Sequence, residues 1–152
     1  MNTFDLETLN DTILDATESI IAETENVEDG FTGDMLDVIH FSDIRTSAEE
    51  LQTLVVENAS IEQIENQSID LYQNVKYILE HCENEIFSTT DTEVLNSFEN
   101  IRTYVDALRY AINTFVSEQA AWELMMYIAI LWKTCILALL IEKGTKWQKV
   151  KL

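Results

Sequence analysis

Residues 120–143 read AAWELMMYIAILWKTCILALLIEK, and what covers this stretch decides the fold. It is the one segment in which apolar residues run almost without interruption. Wound as a helix at about 100° per residue, Gln119, Glu123, Lys133 and Thr134 gather within a sector of roughly 100°. The wider arc carries Trp122, Leu124, Met125, Ile128, Leu131, Trp132, Cys135, Ile136, Leu139 and Leu140. A helix apolar around most of its circumference has to be enclosed by other helices, by copies of itself or by lipid. Its length suits lipid, since about 20 residues cross a bilayer core. Two features weigh the other way. Lys133 lies near the middle of the run, where a cation costs about 3 kcal/mol on insertion scales, and Trp132 sits beside it rather than at an interface. The sequence therefore favours a core helix or an oligomer seam in a cytoplasmic protein, with membrane insertion as the alternative. Trp122, Met125, Ile128, Trp132, Lys133 and Leu139 are the residues expected to make that contact.

The rest of the chain reads as helical throughout. Its 152 residues contain no proline and three glycines, Gly30, Gly33 and Gly144. Both residue types interrupt helix interiors, so their scarcity points to an all-α chain. Leu6, Leu9, Ile13, Ala16 and Ile20 predict a first helix from about Thr3 to Glu25, stopped in Asn26–Gly33. A short helix from Asp34 to Asp43 is expected next, with Met35, Val38, Ile39 and Phe41 apolar. Ser47-Ala-Glu-Glu50 and Ser60-Ile-Glu-Gln63 both read as capping boxes, in which a hydroxyl and an acid or amide satisfy each other's free amides. Behind the first box stand Leu51, Leu54 and Val55. Behind the second come Ile64, Leu71, Val75, Ile78 and Cys82, with Ser68 in the phase, to an end near Phe87. Thr90-Asp-Thr-Glu93 is a third box. From it Val94, Phe98, Ile101, Val105, Leu108, Ile112 and Phe115 fill seven successive heptad core positions. The same phase then falls on Gln119 and Lys133, which predicts a break or bend near Ser117. Gly144 reads as a C-cap before a basic tail, TKWQKVKL. The expectation is a bundle of four to six helices in one domain over 1–143, acidic to 118 and apolar from 119 to 143, with a tail at 144–152.

Chemistry finds little purchase. No N-terminal signal segment is visible, and Cys82 and Cys135, each in an apolar helical phase, read as buried reduced thiols. Asp37-Val-Ile-His40 is half of a di-iron motif without its second half. His81 and Cys82 are adjacent and so diverge by about 100° on a helix. Glu62-Gln-Ile-Glu65 and Glu80-His-Cys-Glu83 are similar to the paired carboxylates of all-helical nucleotide pyrophosphohydrolases of the MazG type. The last position is glutamate where that pattern has aspartate, and among 28 acids such matches arise by chance. No catalytic residue, metal or cofactor is expected.

Charge is the stronger signal. Residues 1–118 hold 26 acids against Arg45, Lys76, Arg102 and Arg109, a net −22, whereas 119–152 are net +3. Such a surface repels nucleic acid and attracts basic protein surfaces, so no direct nucleic-acid binding is expected. The expected function is binding: a small acidic protein engaging a basic partner, with Asp5, Glu7, Asp11, Asp15 and Glu18 as the contact face. A nucleic-acid mimic that inhibits a DNA-binding protein is its sharper form. The alternatives are a membrane-anchored protein inserting 120–143, and a homo-oligomeric subunit of a virion or secretion-type assembly.

Overall fold

A computed structural model describes residues 5–30, 35–81 and 92–150, with side chains at all of these except 30, 35–40, 79, 81 and 146–150. Among the described residues there are four helices and no strand: α1 (Leu6–Gly30), α2 (Met35–Val56), α3 (Ile61–His81) and α4 (Thr92–Val150). The all-α bundle with a long apolar C-terminal helix is therefore the fold. The chain divides into two compact units, Met1–Phe115 and Val116–Leu152.

The first unit is a four-helix bundle. Its core is built from Leu9, Ile13, Ile20 and Val27 of α1, Phe41, Ile44, Leu51 and Val55 of α2, Ile64, Leu71, Val75 and Ile78 of α3, and Val94, Phe98, Ile101, Val105, Leu108 and Ile112 of α4, all at most 5% exposed. The heptad phase of α4 holds through Ile112, and Phe115 is half-buried at its end. Cross-helix contacts close the bundle. Phe41 and Phe98 meet edge-to-face at 6.0 Å. The Arg45 guanidinium donates to Glu28 Oε2 at 2.6 Å, the Arg109 guanidinium lies 4.8 Å from the Tyr72 ring centre, and Asn100 Nδ2 donates to Glu23 Oε1 at 2.9 Å.

Several boundaries differ from expectation. α1 continues past Glu25 to Gly30, because Val27 extends the buried phase by a further turn and Glu28 is tied to Arg45. On its inner face Thr17 and Thr24 are fully buried, while Ala16 is only half-buried and Leu6 is 51% exposed. Threonine is tolerated there because its hydroxyl donates to carbonyls of the preceding turn, Thr17 Oγ1 to Ile13 O at 2.8 Å and Thr24 Oγ1 to Ile21 O at 2.7 Å.

α2 is one helix rather than two. With no glycine or proline between 35 and 56, nothing interrupts it at the Ser47 box. Ser47 is instead 8% exposed and faces α3: its Oγ accepts from Asn74 Nδ2 at 2.7 Å and its carbonyl from Gln67 Nε2 at 3.3 Å. The second box does form. Ser60 N donates to Gln63 Oε1 at 3.0 Å and Gln63 N to Ser60 Oγ at 3.3 Å. Just before it, Asn58 adopts φ 56°, and Ala59 N→Leu54 O (2.9 Å) with Asn58 N→Val55 O (3.1 Å) completes a Schellman stop. The third box, the end of α3 near Phe87 and Cys82 fall outside the described residues.

α4 is one continuous helix from Thr92 to Val150, so neither the break expected near Ser117 nor the cap at Gly144 occurs. The heptad phase fails at Gln119 because bundle packing ends there; the helix itself meets no breaker. Gly144 has no positive φ, and Thr145 Oγ1 donates back to Ile141 O as in any continuing helix.

Candidate functional site

Two surfaces concentrate what the sequence singled out. The first is the outer face of α1. Glu7, Asp11, Asp15 and Glu18 are all exposed. At about 100° per residue they share a sector of roughly 80°, and the same sector takes in Glu25 and Asp29. A helix expected to end at Glu25 leaves out Asp29, for which the unbroken three-four phase through Val27 was the available signal; Glu25, the last residue of that helix, follows from helical angle alone. Six carboxylates thus form a stripe along roughly 33 Å of helix. Among the described residues none of the six is held in an ion pair.

Asp5 belongs elsewhere. It lies about 160° around the helix from Glu7 and caps it, its Oδ1 accepting from Thr8 N at 2.8 Å. The hydrogen bond from the Thr8 amide, aided by the Thr8 side chain, holds the Asp5 carboxyl below its ordinary value of 3.8. A depressed folded pKa means that the cap stabilises above pH 3.8 and is lost as pH falls through the lower, folded value. Asparagine caps equally well but does not titrate. Asp5→Asn should therefore match the parent at neutral pH and lose less stability on acidification below pH 3.8, as read by thermal unfolding.

The bases of the bundle leave the stripe unneutralised. Arg45 is committed to Glu28, Lys76 to Glu80 at 3.6 Å, Arg102 to Glu99 at 3.8 Å, and Arg109 to the Tyr72 ring. Of the pyrophosphohydrolase-like carboxylates, Glu62 opens α3 and is exposed, Glu65 is half-buried and Glu80 pairs with Lys76. Glu83 lies outside the described residues, as do the side chains of Asp37, His40 and His81.

The second surface is the apolar length of α4. Every residue from 119 to 145 is exposed. Trp122 is 50% exposed, Met125 68%, Ile128 47%, Trp132 67% and Leu139 59%, and Lys133 and Cys135 are open as well. The buried core of the first unit is made by residues between Leu9 and Ile112, to which all four helices contribute, and 120–143 add nothing to it. The Cys135 thiol, expected to be buried, is exposed. An 18-residue window within Thr92–Thr145 has mean hydropathy 2.2 and no burial, long and apolar enough to cross a membrane. Ile128, Leu131, Trp132, Cys135, Ile136 and Leu139 frame an apolar concavity along one side. Lys133 lies on the opposite side, and among the described residues it has no ion pair.

No protein-family model, curated protein or solved structure matches this chain.

Proposed function

We propose that the chain is a membrane-anchored binding module, in which an acidic four-helix bundle receives a basic protein and residues 120–143 of α4 hold it at a bilayer. The observation that carries this reading is the full exposure of residues 119–145 in a chain whose bundle core closes without them. Insertion is affordable despite Lys133. Nine leucines and isoleucines between 124 and 141 contribute together about 3–5 kcal/mol at a helix centre, against about 3 kcal/mol for the lysine. Lys143, Lys146, Lys149 and Lys151 follow the span, whereas the nearest base before it is Arg109. The excess of lysine orients the tail to the cytoplasmic side and the bundle to the other.

The partner surface is the carboxylate stripe of α1. Its spacing, one charge per roughly 6–7 Å of helix, is about half the line density of a single DNA strand, at one per about 3.4 Å. The stripe alone therefore suits a basic protein surface better than a cleft shaped to duplex phosphates. To test this, the full chain is reconstituted in zwitterionic vesicles and titrated with a lysine-rich probe peptide. Changing Glu7, Asp11, Asp15 and Glu18 together to Gln and Asn should weaken recruitment at least about tenfold at low salt, while α-helical content stays unchanged. Raising salt to 0.5 M should abolish the difference, because screening shortens the reach of exposed charges to a few ångströms. Recruitment that ignores both the four substitutions and the salt would remove the acidic face as the binding surface.

A further inference from the structure

We infer that Lys133 is the docking point for a second, different membrane protein: one whose transmembrane helix carries a carboxylate at mid-depth. The inference rests on the membrane-anchored reading and adds the partner's chemistry within the bilayer. The uncharged run has acids at both ends, Glu123 and Glu142, with Lys133 between them. At about 1.5 Å per residue Lys133 stands roughly 15 Å from the first and 14 Å from the second, which places it at the midplane of a core about 30 Å thick. From there its side chain, about 6 Å long, cannot bring the ammonium to either interface by snorkelling. A charge at that depth calls for a partner within the membrane.

This chain cannot supply it. The positions one turn away on the same helix are Ala129, Ile130, Ile136 and Leu137, all uncharged. The neighbouring hydroxyl, Thr134, donates to its own helix at Ile130 O (2.9 Å). A second copy fails for a geometric reason. Because Lys133 lies at the centre of the span, parallel and antiparallel pairing both bring two lysines to one depth and no acid near them. The complement has to come from another chain. The face around Lys133 suits a helix, since Met126, Ala129, Leu137 and Leu140 lie within about 40° of it, and Ala129 allows close approach one turn before the lysine.

The test uses the labelled full chain in vesicles and two synthetic leucine–alanine transmembrane peptides, identical except for Asp or Leu at the central position. Flotation is measured first, with enough lipid to bind all of the protein and of each variant. If the full chain does not float, the membrane reading itself has failed. If it floats, energy transfer should show the Asp peptide associating at least about tenfold more strongly than the Leu peptide. Lys133→Leu should abolish that preference, and Lys133→Asp should transfer it to a peptide with a central lysine. Equal association of the two peptides with a chain that floats would overturn the inference and leave the anchor standing. So would self-association of the parent chain as strong as that of Lys133→Leu, since a copy would then satisfy the lysine.

Discussion

Phe98→Ala is expected to lower the stability of the bundle by about 3–5 kcal/mol, the range for emptying a buried aromatic site. Phe98 is 1% exposed and lies edge-on to Phe41 at 6.0 Å with the planes at 89°, so truncation removes a packed volume and an aromatic contact between α2 and α4. A domain of this size is stable by about 5–15 kcal/mol in all, so the variant should sit near its folding threshold. Urea unfolding followed by far-ultraviolet circular dichroism should show a lower midpoint with an unchanged slope. Leu124→Ala is the matched control. Leu124 is 61% exposed and outside the bundle core, so its loss should shift the same transition by less than about 0.5 kcal/mol. Equal losses at the two positions would mean that 120–143 contributes to the core after all.

The second large effect is expected at Lys133. If 120–143 spans a bilayer as proposed, replacing Lys133 by leucine removes a cation from mid-depth and adds an apolar side chain, a gain of about 3 kcal/mol in bilayer partition, or more than a hundredfold. The bound fraction against lipid concentration measures it directly. Because Lys133 is fully outside the bundle core, the urea transition of the first unit should stay where it was. A variant that partitions no better than the parent would place Lys133 out of the hydrocarbon.

The parts of the fold that were legible in the sequence share one property: a single helix face decides them. The seven-position heptad run from Val94 and the Ser60–Gln63 box needed no knowledge of partners, and Val94 to Ile112 and the box appear as read. Where a second helix intervenes, local signals misled. Ser47 carries the same letters as Ser60, yet Asn74 and Gln67 of α3 engage it in mid-helix. Thr17 displaced Ala16 from the inner face because a hydroxyl bonded to its own helix can be buried, which polarity alone does not reveal. Gly144 as a cap and a break near Ser117 do not appear: a glycine stops a helix by taking positive φ, which Gly144 does not, and the end of a packed phase does not by itself interrupt the backbone hydrogen bonds.

The candidate surfaces were legible to different degrees. The charge imbalance and the apolar stretch are properties of composition, and both were plain. The membership of the α1 stripe depended on both ends of the helix: Asp29 lies past the expected end, and Asp5 is a cap before the first turn, while Glu25 needed only the helical angle to be carried one turn further. What encloses 120–143 could not come from its own residues, because a core helix and a spanning helix share the same apolar arc. Burial elsewhere in the chain adds only that the bundle core closes without them.

Flotation of the unmodified full chain on a density gradient with zwitterionic vesicles, in detergent-free buffer, tests the anchor most directly. The account predicts that the protein rises with the lipid at low and high salt alike, since apolar burial and not charge holds it there. Protein that stays at the bottom as a soluble species, with or without salt, would contradict it and return 120–143 to a seam between copies.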